Sequence, residues 1–400
     1  MQRHREREEI QSFQVFDEKN NPVRQAIAAD SLPHSSRDVV YPPSEIPMSV
    51  RDWIVAGAIV AAVLALLPTA WGRVEAPPAG TDYRIPYALG NDYWLFERFS
   101  RLAADEGRTL LVGDSVIWGH YVPPEGSLSA QLNRQCGRER FANLGVDGIH
   151  PAALEGLIEH YGSALAGRDV VLHCNLLWMS SPRHDLQEHK EFAFNHPRLV
   201  PQFRPWIPCY NEPLSGRVEI AAARLIPFAH WTNHLRQAYL GGADLPAWTL
   251  KHPYENPLSG AAMTAIQNCA APSDATEETW TQRGAEMTPR WVDLDTSIQW
   301  AAFRRAVERL RQRGSRVFVV IGPLNEHMLK GEALEGYRAR VAEVGDWLRR
   351  EGIAHAAPAV LPSEQYADAS HPLRAGYDTL ARELLAKEAF KAFLAGAPSR

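Results

Sequence analysis

"TLLVGDSVIWGH", residues 109–120, is the stretch on which the reading of the fold turns. An apolar run stops at Gly113-Asp114-Ser115, and the chain then becomes amphipathic. A short apolar run bounded by a turn signal reads as a strand buried on both faces. Ser115 then stands where the strand hands over to the next element. A Gly-Asp-Ser triplet arises by chance fairly often, so the rest of the chain must decide whether Ser115 is a nucleophile or a polar turn residue.

Outward from this stretch, strand and helix signals alternate. "SLSAQLNRQC" (127–136) has helical spacing, "FANLGV" (141–146) is strand-like, and "PAALEGLIEHYGSAL" (151–165) is a helix with apolar residues three and four apart. "DVVLHCNLL" (169–177) is strand-like again. Later come a helix at 297–314, a strand at 316–323, a helix at about 334–350, a short strand within 352–359 and a closing helix at about 373–394. Strands alternating with helices predict parallel pairing through right-handed crossovers, hence an α/β fold built as a three-layer α/β/α sandwich. Residues 183–292 break the rhythm and hold Trp206, Trp231, Trp248, Trp280 and Trp291 among many prolines. A structureless loop of that size would be implausible in a compact domain. The stretch is expected to be an inserted subdomain or lid over the carboxyl end of the sheet, where α/β proteins bind ligands. Its tryptophans are read as core rather than as sugar platforms.

The 400 residues are 45% hydrophobic and 22% charged, the make-up of a folded globular chain, and the net charge of -5 gives no basic footprint for nucleic acid. Cys136, Cys174, Cys209 and Cys269 lack zinc-type spacing, and His184 and His189 in "RHDLQEH" share neither a helix face nor a strand face, so no metal is expected. From Trp53 to Leu67 there is no charged or polar side chain, and a tryptophan marks each end of the run Trp53–Trp71. That pattern predicts one retained transmembrane helix over 52–72 with aromatic anchors. Arg37 and Arg51 on one side nearly balance Arg73 and Arg84 on the other. Orientation therefore rests on the arrangement, a short polar head, a span and a large domain, as in a signal-anchored protein. It places a disordered head (1–50) in the cytoplasm and the chain from residue 80 onward outside. Residues 73–104 read as linker and lead-in, with "EAPPAGTDYRIP" (75–86) climbing off the membrane, and 105–400 as the main domain. In such a compartment Cys209 and Cys269 could bridge, although connectivity cannot be read from sequence.

Serine at its free pKa is a poor nucleophile and needs a base held by a third group. "DASHPLRAGYDTLA" (368–381) supplies one: Asp368 and His371 lie in a short loop before the last helix, and the three-residue spacing lets the carboxylate orient the imidazole. Pro372 would fix the backbone just after it. Gly113-Asp114-Ser115 after the first strand and Asp368-x-x-His371-Pro372 near the end resemble the first and last blocks of the SGNH (GDSL-type) hydrolases. The resemblance covers roughly residues 105–180 and 295–395. It implies a flavodoxin-like parallel sheet, Ser115 as nucleophile, His371 as base and Asp368 as its orienting carboxylate. In the family's second block a glycine N–H after an asparagine helps bind the oxyanion; "NLGVDG" offers Asn143 and, by spacing, Gly148 rather than Gly145. The third block reads Gly-x-Asn-Asp, and here His173-Cys174-Asn175-Leu176 keeps only the asparagine, which marks a diverged member. Ser115, Gly148 and Asn175 are thus the expected oxyanion donors, with His173 and Cys174 read as core or supporting residues.

The expectation is a serine ester hydrolase working through an acyl-enzyme without cofactor, and acting on an ester such as an acetylated envelope polysaccharide. A variant passes the acyl group to a sugar hydroxyl, beside a membrane-bound O-acyltransferase partner. The alternative from another class is a non-catalytic assembly protein that keeps the fold around a degraded site.

Overall fold

The structure, a computed structural model, describes residues 49–75, 83–256, 276–283 and 286–396. The predicted head and Cys269, with its proposed pairing to Cys209, lie outside the described residues. The chain divides into two units, 1–62 and 63–400. In chain order the elements are α1 (Val50–Val74), α2 (Tyr93–Asp105), β1 (Thr109–Gly113), α3 (Ser115–Trp118), α4 (Leu128–Cys136), β2 (Phe141–Gly145), α5 (Pro151–Tyr161) and β3 (Asp169–Cys174). There follow α6 (Leu214–Ala223), α7 (Pro227–Tyr239), α8 (Leu245–Lys251), α9 (Trp280–Arg283), α10 (Ile298–Gln312), β4 (Arg316–Ile321), α11 (Glu332–Arg350), β5 (Ala354–Ala356), α12 (Arg374–Ala386) and α13 (Glu388–Ala395).

Helix α1 begins where Ser49 and Asp52 cap each other, the Ser49 hydroxyl donating to Asp52 at 2.7 Å and accepting from the Asp52 N–H at 3.2 Å. Its most apolar 18-residue window has a mean hydropathy of 2.2 and is only 6% buried, so this helix is long and apolar enough to cross a membrane and is not a core helix.

The five strands form one parallel sheet in the order β2-β1-β3-β4-β5. Strands β1 and β2 are buried along their whole length, as their unbroken apolar runs require. Alternate residues enter different clusters. Leu110, Val112, Val170, Leu172 and Val319 join one cluster with residues of α2, α5 and α10, whereas Leu111, Val171, Phe318 and Val320 join another with residues of α4, α12 and α13. The sequence order reverses beside β1, since β2 lies on one side of it and β3 on the other. Connections diverge at such a point and leave a crevice at the strands' carboxyl ends.

Several expectations change in detail. The closing helix is two helices, because Lys387 has extended backbone (φ -68°, ψ 127°) between α12 and α13. The lead-in contains α2, which is buried through Phe96, Phe99 and Ala103. Glu75 and Tyr83–Pro86 are buried rather than strung out as a linker, and Trp118 holds the second segment: its indole N–H donates to the Ile85 carbonyl at 2.7 Å and the Arg84 guanidinium lies 4.3 Å from its ring. In "RHDLQEH", read as solvated, His184 and His189 are exposed but Asp185 is fully buried and caps α10, accepting from Ile298 N–H at 2.9 Å, from Gln299 N–H at 3.2 Å and from the Ser297 hydroxyl. Burial pushes the Asp185 carboxyl up to about 6 despite those donors.

Between β3 and β4, the stretch at 198–202 packs on α5. A Cβ on Gly156 would lie 1.9 Å from the Leu199 carbonyl oxygen, so the helix can approach that backbone only through glycine. Gly156→Ala should therefore destabilise by about 1–3 kcal/mol, even though alanine is favoured over glycine in helices by about 1 kcal/mol. Denaturant unfolding of the two proteins measures the difference, and a more stable alanine variant would refute the close approach.

Candidate active site

Short-range chemistry builds the site. Asp114 ends the strand run and caps α3, its side chain accepting from the Val116 N–H at 3.0 Å. That cap sets Ser115 in the first turn of α3, just past the carboxyl end of β1, 9% exposed. Gly145 is where β2 meets this turn: a Cβ there would lie 2.3 Å from the Trp118 nitrogen. The Gly145 N–H donates to the Asn143 side chain at 2.9 Å, so this glycine is a packing residue and its N–H is already engaged.

His371 comes from the loop before α12. Asp368 Oδ1 accepts from the backbone N–H groups of Ser370 and His371, both at 2.9 Å, a turn that the Asp-x-x-His spacing makes available locally. The loop is held from below, where Asn325 donates its side-chain amide to the Asp368 carbonyl at 3.1 Å and its N–H to the Ala369 carbonyl at 2.8 Å. The result is a continuous chain, with His371 Nε2 at 2.8 Å from Ser115 Oγ and His371 Nδ1 at 2.8 Å from both Asp368 oxygens. The partners lie 256 residues apart in sequence. Burial works against a charged imidazole, but the Asp368 carboxylate, helped by Asp114 and Asp147, outweighs it and raises the His371 pKa. Burial likewise opposes ionisation of Asp368, yet His371 and the two backbone donors hold it down at about 2. A base must be unprotonated to act, so the raised pKa moves the acid limb of any activity above the ordinary histidine value of about 6.5. Asp368→Asn should shift that limb to lower pH and reduce kcat/KM about 10²–10⁴-fold, as read from pH profiles of p-nitrophenyl acetate hydrolysis. An unmoved limb would show that Asp368 does not set the base.

Asp114 is a second centre of the site. Its buried carboxylate accepts from Asn175 Nδ2 at 2.8 Å, Trp178 Nε1 at 3.0 Å and His173 Nδ1 at 3.0 Å. His173 Nε2 faces the Gly322 carbonyl at 3.0 Å, so both of its ring nitrogens point at acceptors. Burial would raise the Asp114 carboxyl, but His173 and the two N–H donors bring it to about 2. Asn175 lies beside the Asp114–Ser115 turn through its bond to Asp114. Its amide carries two N–H groups, of which one goes to Asp114. His173 is a polar partner of the Asp114–Ser115 turn, while Cys174 is buried in the core.

Gly148 has φ +68°, a conformation that favours glycine, in the loop between β2 and α5. This loop is braced from three sides. His120 Nδ1 lies 2.6 Å from Asp147 Oδ1, His196 Nε2 lies 2.9 Å from the Asp147 carbonyl, and Asn195 Nδ2 donates to the Gly148 carbonyl at 3.4 Å. The His120 ring is 5.5 Å from that of His371, which puts the loop beside the Ser115–His371–Asp368 chain. Asp147, His120, Asn195, His196 and Trp178 went unnoticed in the sequence. Asp147 had a signal, a carboxylate next to the glycine expected to serve the oxyanion, whereas Asn195 and His196 reach the loop from tens of residues away with no local pattern. Among the described residues there is no group of three or more His, Cys, Asp or Glu placed to hold a metal ion.

No family model matches this chain, and no curated protein matches it.

Proposed function

We propose that this chain is a membrane-anchored serine ester hydrolase of the SGNH type, with the three-layer α/β/α sandwich of that class and residues 183–292 inserted in it. The observation that carries the reading is the Ser115–His371–Asp368 chain, with both hydrogen bonds at 2.8 Å. Ser115 Oγ attacks the acyl carbonyl carbon as its proton passes to His371 Nε2. The Ser115 and Gly148 N–H groups and the remaining Asn175 N–H would receive the negative oxygen. Collapse breaks the ester C–O bond, and His371 returns the proton to the departing alkoxide. Water then attacks the acyl-serine with His371 again as base. An acetylated envelope carbohydrate is the substrate class we favour, reached from one membrane span by α1 with the catalytic unit outside the cytoplasm.

One observation favours transfer to a sugar hydroxyl as the second step. The stretch at 276–283 rests on the site, with the Thr276 N–H bonded to the Tyr121 carbonyl at 3.2 Å and the Trp280 N–H to the Tyr366 carbonyl at 3.0 Å. The Tyr121 ring lies 5.3 Å from that of His371. A cover over the acyl-enzyme that excludes water gives a bound hydroxyl the advantage, and a membrane-bound O-acyltransferase would be a fitting acyl source. A fluorophosphonate probe and p-nitrophenyl acetate, applied to the full chain in detergent, test both versions. Labelling with turnover supports hydrolysis, labelling with little turnover supports transfer, and no labelling of folded protein rejects the nucleophile and favours an assembly role.

A further inference from the structure

Helix α6 buries Arg217 beside Ile220 and turns an apolar stripe outward. Arg217 is buried, its guanidinium donating to the backbone carbonyls of Glu212 at 2.9 Å, of Tyr210 at 2.6 Å and of Gln202. Just past the helix, Arg224 likewise turns inward to the carbonyls of Arg198 and Val200. The outer side carries Leu214, Val218, Ala222 and Leu225, a single stripe at helical spacing, and the exposed Ile226 follows. Leu214 is 70% exposed, Val218 52% and Leu225 80%, while the polar residues bordering the stripe are Ser215 and Glu219. A helix facing water would present its arginines and bury its leucines, and a continuous exposed apolar stripe marks a contact surface.

What it contacts follows from where α7 is fastened. Trp71, at the end of the apolar run of α1, packs edge-on against Trp231 at 6.0 Å and Tyr239 at 5.7 Å, both on α7. Glu75, just past α1, is bonded to His234 Nε2 at 2.9 Å and to the Tyr239 hydroxyl, again on α7. Trp231 lies five residues beyond Ile226, about 8 Å along the chain at helical rise. The headgroup layer on each side of a bilayer is about 5–8 Å thick, and surface helices sink their apolar face about 5–10 Å into it. The Leu225–Ile226 turn therefore precedes, by about one and a half helical turns, the point where α7 is fastened to the end of the apolar helix.

We propose that α6 and the α6–α7 turn lie in the interfacial layer of the bilayer that α1 enters, with Leu214, Val218, Leu225 and Ile226 among its lipid-contacting residues. The inference rests on α1 being a membrane span. It gives the catalytic unit a second attachment, so the unit sits against the surface instead of swinging on a tether.

Depth-dependent quenching tests it on the full chain in phosphatidylcholine vesicles that contain nitroxide-labelled lipids. With Cys136→Ser and Cys269→Ser, and Cys174 and Cys209 buried, single NBD labels would be placed at Val60→Cys, Val218→Cys, Leu225→Cys and, as an exposed control on α10, Glu308→Cys. The expected result is blue-shifted emission and its loss to shallow nitroxides at 218 and 225, loss to deep nitroxides at 60, and no loss at 308. Quenching at 60 without quenching at 218 and 225 overturns the surface while leaving the span. A blue shift at 218 and 225 that grows with protein-to-lipid ratio, without quenching, assigns the stripe to a second copy and overturns it as well. No quenching at 60 removes the span and the proposal with it, and equal quenching at 308 reduces the signal to general adsorption.

Discussion

Alanine at Ser115 is expected to abolish fluorophosphonate labelling and to lower turnover of p-nitrophenyl acetate by about four to six orders of magnitude, with His371→Ala close behind. The size follows from the proposed mechanism: Oγ and Nε2 are 2.8 Å apart, and either deletion would remove both attack and proton transfer. On the proposed mechanism the two residues act as one unit, so the double variant should be little worse than either single one. Additive losses would mean that the two side chains work independently and that the hydrogen bond between them is incidental. A Ser115→Ala protein that turns over like the parent would place any esterase activity elsewhere.

His234→Gln is expected to have the largest effect on stability. His234 is fully buried between two carboxylates, Asp92 at 2.6 Å and Glu75 at 2.9 Å, with the Trp94 ring 4.4 Å away. Arg98 closes the cluster by pairing with Glu75 and donating to the Gly72 carbonyl at 3.0 Å. Removing the cation leaves buried carboxylates without their shared partner, a loss of about 3–5 kcal/mol. Burial would lower the His234 pKa, but Asp92 and Glu75 prevail and raise it to about 9. A raised histidine pKa adds stability that is complete below the unfolded value of about 6.5 and disappears as pH rises through the folded one. The parent should thus lose about 3 kcal/mol between pH 6.5 and 10 from this group, and the glutamine variant should lack that decline. Denaturant titrations at several pH values provide the measurement, and parallel pH curves for the two proteins would refute the charged assignment.

Local chemistry was legible in the sequence wherever it acts over a few residues. Apolar runs buried on both faces declared β1 to β4, because a strand with helices against both faces has no polar side to show. Asp368 and His371 were legible because a three-residue turn brings carboxylate and imidazole together whatever the rest of the chain does. The apolar girdle of α1 was legible for the same reason, since hydropathy is summed along one helix. Only tertiary structure could decide which distant groups meet. The three side-chain donors on Asp114 from His173, Asn175 and Trp178, the brace of Asn195 and His196 on the Gly148 loop and the burial of Glu75 under His234 all join residues that no spacing rule connects. A buried polar group must find a partner, but the sequence records only that the group exists; which partner completes it is set by the packing that brings the two chain segments within 3 Å or so of each other.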